Sequence, residues 1–243
     1  MATALKLALK NKWDKLAERL RRPTFNPEEL TESTEFGGHR PIHLAIQAGQ
    51  THLVKKLLVL PPHDPVVPLG GHLRARNVRL IHFAAGQSKV AILKAVLRAY
   101  PKDLERESEE GYTPAWIAVM TDQSKCLQYL IEQGADLTGR DPDGNTMLLR
   151  SAGPSVWIPR RLIRAGVDLD PRDALGRTAL MLAAHGNPEI ARELIAAGAD
   201  VDAADHNGYT AADYAFARRN DKLCARLGGP TPKSARGTIP GLF

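Results

Sequence analysis

The sequence predicts an all-α solenoid: stacked pairs of short helices, with a degenerate helical pair capping the N-terminal end. Three observations carry this reading. Gly134, Gly166 and Gly198 each open a Gly-x-Asp triplet, and the spacing between them is 32 residues both times. A second register, Gly111, Gly144, Gly176 and Gly208, stands two residues before a threonine each time and recurs at 33, 32 and 32. Between these markers no apolar run exceeds six residues, the longest being Ala115–Met120 and Ala179–Ala184. Self-similarity at a period of roughly 20–50 residues is the signature of units that bury their apolar faces only against their neighbours.

Taken in order, residues 2–30 show helical spacing in Leu5, Ala8 and Leu9, then in Leu16 and Leu20, which fits a helical pair. The same stretch is basic and amphipathic, as a transit peptide would be. Asp14, Glu18 and a single hydroxyl residue in the first 22 positions argue for the cap instead. In the regular units, Thr113-Pro114 opens a helix: a threonine hydroxyl caps free N–H groups, and proline in the first turn loses no needed donor. The apolar stretch Ala115–Met120 is then a short, almost wholly buried helix. A second helix follows, read from Leu127, Leu130 and Ile131 in one unit and Ile190, Leu194 and Ile195 in another. Gly134 and Gly198 fall just past its end, where a left-handed backbone is cheap for glycine. Asp141-Pro142-Asp143-Gly144 and Asp205-His206-Asn207-Gly208 then read as turns.

This pattern resembles the ankyrin-repeat family, whose signature includes Thr-Pro-Leu-His-x-Ala, a second helix and Gly-Ala-Asp. The resemblance covers residues 34–227 and six units. They are marked by Arg40-Pro41-Ile42-His43-Leu44-Ala45, Arg79-Leu80-Ile81-His82-Phe83-Ala84, Thr113-Pro114-Ala115-Trp116-Ile117-Ala118, Thr146-Met147-Leu148-Leu149, Thr178-Ala179-Leu180-Met181-Leu182-Ala183 and Thr210-Ala211-Ala212-Asp213-Tyr214-Ala215. Several departures stand out. A proline-rich excess at 60–76 predicts an extended loop between the first two units. The fourth and fifth units run one residue short before the second helix, and the fourth carries Pro154 and Pro159 there. Trp116, Leu149, Met181 and Asp213 stand where the family has histidine, so its turn-bracing hydrogen bonds are in question in those four units. The predicted organisation is a cap at 1–33, repeats at 34–227 and a flexible tail at 228–243, which has three prolines and four glycines.

Composition narrows the function classes. With 43% hydrophobic and 25% charged residues a core can be buried, and collagen-like or wholly disordered classes are excluded. A six-residue apolar run is too short for a membrane span, which needs roughly 20, or for a signal-peptide core. Cys126 and Cys224 cannot supply a disulfide framework or a zinc site alone. A reducing, cytoplasmic setting is expected. The net charge of +6 hides an asymmetry: residues 51–100 carry +7 and residues 101–150 carry −5. That is either two differently solvated faces or a bipolar surface that steers a charged partner.

No catalytic constellation is present: no phosphate-binding loop, no Gly-x-Gly-x-x-Gly, no His-Glu-x-x-His. Cys126 falls on the apolar face of a second helix and reads as core. His39 and His43 are four apart, yet the resemblance explains His43 and His82 as turn braces, so no metal and no cofactor are expected. Lys55, Lys56, Arg74, Arg76, Arg79, Lys89, Lys94 and Arg98 form a basic block. They divide between second helices and a turn, with few aromatics, so nucleic acid is not the expected partner.

The resemblance instead implies a non-catalytic module, monomeric when unbound, that binds a partner protein through turn tips and first helices. Carried over by position, the tip residues are Phe36, Arg74, Arg76, Glu109, Glu110, Tyr112, Asn145, Arg177 and Tyr209; the first-helix residues are Gln47, Met120 and His185. Tyr112, Tyr209 and the arginines are the expected anchors, since aromatic and Arg side chains dominate interfaces. Tips lie about 10 Å apart in such folds, close to a Debye length, so Arg74 and Arg76 would feel Glu109 and Glu110. The alternative is an inhibitor, immunity-type or host-directed effector protein that occludes an enzyme. Small size without an appended domain and an acidic block that mimics nucleic acid point that way.

Overall fold

The computed structural model describes residues 3–22, 24–30, 40–60, 79–87, 89–153 and 155–229. Those residues form paired α-helices with no strand, only isolated bridges joining Arg140 to Thr146 and Ala204 to Thr210. They fall into two compact units, residues 1–135 and 136–243. Residues 61–76 of the expected loop, residues 1, 2, 23 and 31–33 of the cap and residues 230–243 of the tail lie outside the described residues, as do Phe36, His39, Arg74, Arg76 and Pro154.

In the first unit the pairs are α1 (Ala4–Leu9) with α2 (Trp13–Arg19), α3 (Pro41–Gln47) with α4 (Thr51–Leu57), α5 (Leu80–Ala85) with α6 (Val90–Ala99), and α7 (Pro114–Met120) with α8 (Ser124–Glu132). In the second they are α9 (Met147–Ser151) with α10 (Trp157–Arg164), α11 (Ala179–Gly186) with α12 (Pro188–Ala196), and α13 (Ala211–Ala217) with α14 (Asp221–Arg226). Packing runs in two layers. First helices pack on first helices, α1 on α3 on α5 on α7 and α9 on α11 on α13. Second helices pack on second helices, α4 on α6 on α8 and α10 on α12. Each helix is too short to be stable alone, so the stacking holds it.

Local chemistry starts each helix where the repeat expects it. The Oγ1 of Thr113, Thr146 and Thr178 each accept the N–H three residues on, at 3.4 Å. Pro159 sits in the first turn of α10, where its missing N–H is one that no helix partner would have taken. The core is the two-layer seam. Ala115–Val119 and Leu180 through Ala184 are buried apart from half-buried Leu182. The second helices bury Cys126, Leu127 and Leu130, or Ile190, Ala191 and Leu194. Ile131 and Ile195, expected on that face, are only half-buried: the covering helix takes the stripe one residue earlier. The cap turns likewise. It buries Ala4, Leu7, Ala8 and Leu16 and leaves Leu9 at 53% exposure. Arg19 clamps Glu29 at 2.5 Å, and the Ala4 N–H donates to the same carboxylate at 3.1 Å, which ties the 3-10 turn Pro27–Leu30 back to α1.

Candidate functional site

Four turn tips share one construction. In Ser108–Tyr112, Asp141–Asn145, Asp173–Arg177 and Asp205–Tyr209, the first residue's N–H donates to the fifth residue's carbonyl at 2.9–3.0 Å. The glycine at the fourth position has φ between 77° and 79° and donates to the first carbonyl. The left-handed backbone there is why each tip carries glycine. The first side chain completes the brace. Asp141 Oδ1 accepts the N–H of Asp143 at 3.0 Å and of Asn145 at 2.8 Å. Asp173 does the same for Leu175 and Arg177, and Asp205 for Asn207 and Tyr209. Ser108 Oγ takes over part of the role, accepting the Tyr112 N–H at 3.2 Å. The tip is thus a rigid mount, and its second, third and fifth positions are free to vary in chemistry.

Adjacent tips lock together. In the second unit the His206 N–H donates to the Leu175 carbonyl at 3.0 Å, and the Asp200 N–H to Asp170 Oδ1 at 2.9 Å. A Cβ on Gly176 would stand 2.9 Å from the His206 nitrogen, so that glycine serves the close approach as well as the turn. In the first unit His82 does the bridging. Its Nδ1 accepts the Arg79 N–H at 3.1 Å, and its Nε2 lies 2.6 Å from the Arg106 carbonyl of the next loop. Burial holds His82 below the usual histidine range against the pull of that carbonyl, and with Nδ1 accepting, Nε2 is left as the donor to the Arg106 carbonyl.

The structure places the expected contact residues as follows. Glu109 is exposed, Glu110 is half-buried with the Ser108 hydroxyl 3.3 Å from its Oε2, and Tyr112 is half-buried with its ring tilted on Trp116 at 6.1 Å. Gln47 is exposed at the end of α3, and Met120 is half-buried at the end of α7. Asn145 is held by Asp141, its Nδ2 donating to Oδ2 at 3.3 Å. Arg177 pairs with Asp173 at 2.7 Å. His185, half-buried on α11, lies in the field of Arg177 and of Arg218, whose Nε donates to its carbonyl at 3.2 Å. Burial first, then those two charges, hold His185 below the usual range. Tyr209 departs from expectation. It is 7% exposed, so it is a core residue of its tip rather than a projecting anchor. Two exposed apolar side chains on the tips and first helices of the second unit were not foreseen: Leu175, 44% exposed at a tip position where neighbouring tips carry Asp143 and Asn207, and Phe216, 40% exposed near the end of α13. The break in polarity at position 175 was a usable sequence signal.

The substituted histidine positions are not idle. Asp213 Oδ2 accepts the Thr210 N–H at 2.7 Å, and Met181 Sδ accepts the Thr178 N–H at 3.4 Å. Chemistry that would make a catalytic site is otherwise sparse. Cys126 is buried, its thiol pushed up to about 11 by burial, and it points at the Gln87 carbonyl 3.0 Å away. Among the described residues no three His, Cys, Asp or Glu side chains converge on a metal position, and no helix is long and apolar enough to cross a membrane.

A family model described as "Ankyrin repeats (3 copies)" matches residues 80–156 and again 153–229. The chain belongs to the ankyrin-repeat family. The crystal structure of the ankyrin repeat domain of Bcl-3 superposes with a TM-score of 0.72 over 94% of this chain and 99% of that one, at 21% identity, a likeness of fold alone. Relatives by sequence include the yeast (Saccharomyces cerevisiae) target of rapamycin complex 2 subunit AVO2, 29% identical over 51% of this chain and 28% of its own length. The mouse (Mus musculus) ankyrin and armadillo repeat-containing protein is 31% identical over 47% of this chain and 8% of its own. Human transient receptor potential cation channel subfamily A member 1 is 30% identical over 44% and 9%. The chain therefore spans well under two thirds of these relatives. Ankyrin repeats are in general protein-protein interaction modules and not catalysts, and the stacked, braced tips are the part of the repeat built to vary.

Proposed function

We propose that this chain is a non-catalytic interaction module that binds a partner protein through its tips and first helices. It is monomeric when unbound, cytoplasmic, and organised as a cap at 1–33, repeats at 34–227 and a tail at 228–243. The single observation behind this is the common tip construction: identical backbone braces carry Glu109 and Glu110 in one tip, Asp143 in the next, Leu175 in the third and His206 in the last. A fixed mount with changing side chains presents a recognition surface without paying to order it. Phe36, Arg74 and Arg76, outside the described residues, stay candidates from their place in the sequence repeat alone. A second reading has its own support: Glu105, Glu107 and Glu109 are each exposed in one short stretch, interrupted by exposed Arg106, an acidic segment suited to occluding a basic active site.

The partner is first captured by crosslinking and mass spectrometry, then titrated. Glu109→Lys with Glu110→Lys should slow association and change its salt dependence, as rim charges do. Tyr112→Ala should speed dissociation and weaken binding by about 1–3 kcal/mol. If Lys55→Glu with Lys56→Glu, on the second-helix side, abolishes binding while the tip changes leave it within about twofold, the tip reading fails. A captured enzyme that loses activity on binding would favour the second reading.

A further inference from the structure

The second helices pack on one another in sequence, α4 on α6 on α8, but α2 does not pack on α4 in that way. Between the C-terminal ends of α2 and α4 a groove of about 510 Å³ opens instead. Its apolar lining is Leu20, Val59 and Leu60; its polar lining is Arg21, His52, Lys55 and Lys56. Val59 is 82% exposed, the most exposed large apolar side chain among the described residues. Every ionisable group of the lining is basic or a histidine.

Among the described residues these cations form no ion pair, although Arg21 lies in the field of Glu18. The neighbouring arginines of the cap are satisfied within the chain, Arg19 by Glu29 at 2.5 Å and Arg22 by Glu18 at 2.7 Å. Among the described residues Arg21, Lys55 and Lys56 have no such partner, and residues 51–60 contain no acid at all. Helix-end electrostatics account for Lys55 and Lys56 in the last turn of α4.

We propose that this groove docks an acidic segment of a partner protein that seats a large apolar side chain between α2 and α4. Charge complementarity selects the occupant: carboxylates on either side of the apolar side chain would meet Arg21 past the end of α2 and Lys55 and Lys56 on α4. The volume lies within the roughly 300–1,000 Å³ of sites that enclose a ligand, and a recess takes up an inserted side chain as a groove takes an amphipathic helix. Nucleic acid fits poorly, because the lining holds no Phe, Tyr or Trp for a base to stack on. This site lies on the second-helix side and is independent of the tips.

The probe is a fluorescein-labelled 12-residue peptide carrying a Leu-Phe pair flanked by glutamates, read by anisotropy against the whole chain. Binding should weaken by about tenfold or more in Lys55→Glu with Lys56→Glu, and should fade as salt is raised. A milder loss is expected for Val59→Ser and for a probe with serines in place of the Leu-Phe pair. The control Lys222→Glu with Arg226→Glu, on exposed positions of α14, makes the same change in net charge and should leave affinity unchanged. Circular dichroism melts show that each variant is folded, and Glu109→Lys with Glu110→Lys, which alters one tip, should not weaken this probe. The proposal is overturned if the peptide does not bind, if the α4 and α14 reversals weaken it equally, or if phosphatidylserine vesicles bind through these residues while the peptide does not.

Discussion

Asp205 accepts three hydrogen bonds, as Asp141 and Asp173 do, but its third donor is the buried Tyr214 hydroxyl, so removing it should cost more than removing either counterpart. It is 7% exposed. Its Oδ1 accepts the N–H groups of Asn207 at 2.8 Å and Tyr209 at 2.9 Å, and its Oδ2 accepts the Tyr214 hydroxyl at 2.9 Å. Tyr214 is 1% exposed, so no water stands ready to replace that acceptor. Hydrogen bonds to a charged group contribute about 1.5–3 kcal/mol each, and a stranded buried donor costs about 1–3 kcal/mol. Discounting the desolvation of the carboxylate itself, Asp205→Ala should lose roughly 3–5 kcal/mol. Asp205→Asn keeps an oxygen for the two N–H groups and turns an amide donor to the phenol oxygen, so about 1–2 kcal/mol is expected. Tyr214→Phe should lose about 1–2 kcal/mol. Urea unfolding of the two single variants and the double variant closes a cycle, with a coupling of about 1–2 kcal/mol between Asp205 and Tyr214. A coupling below about 0.3 kcal/mol would refute the reasoning, because the hydroxyl would then be satisfied elsewhere.

Three further outcomes test the fold. Leu180→Ala, at a position with no exposure, should cost about 2–5 kcal/mol, while Leu175→Ala at an exposed tip should stay within about 0.5 kcal/mol; equal losses in urea melts would show the first-helix seam to be misplaced. Gly176→Ala and Gly144→Ala meet nearly the same φ, 77° and 79°, but only Gly176 faces a neighbouring tip within 4 Å, so Gly176→Ala should be worse by about 1–3 kcal/mol; identical melting temperatures would dismiss the tip-to-tip contact. Stability should also depend on pH through His82, whose folded pKa is lowered mainly by burial: the unfolded chain binds the proton first, so stability is level above about pH 6.5 and falls as pH drops below it. A pH profile that His82→Gln leaves unchanged would remove His82 as the cause.

The repeat period, the helix starts and the tips were legible in the amino-acid sequence because backbone geometry dictates them. A left-handed position selects glycine, a helix start selects threonine or proline, and both choices recur with every unit whatever the unit contacts. What the sequence could not reveal is how each side chain is partnered across units. Tyr112 and Tyr209 occupy the same tip position, yet one rests half-buried on Trp116 and the other is sealed in. Trp116, Met181 and Asp213 replace the same histidine, and Asp213 and Met181 still brace their turns, because an acceptor reaching back three residues is all the geometry demands. The groove between α2 and α4 belongs to the same class. Arg21 and Lys55 are 34 positions apart, and only the failure of the cap's second helix to close on its neighbour brings their charges around Leu20 and Val59. Local conformation follows from nearest-neighbour sterics and capping; exposure and partnership follow from which surface the next unit happens to cover.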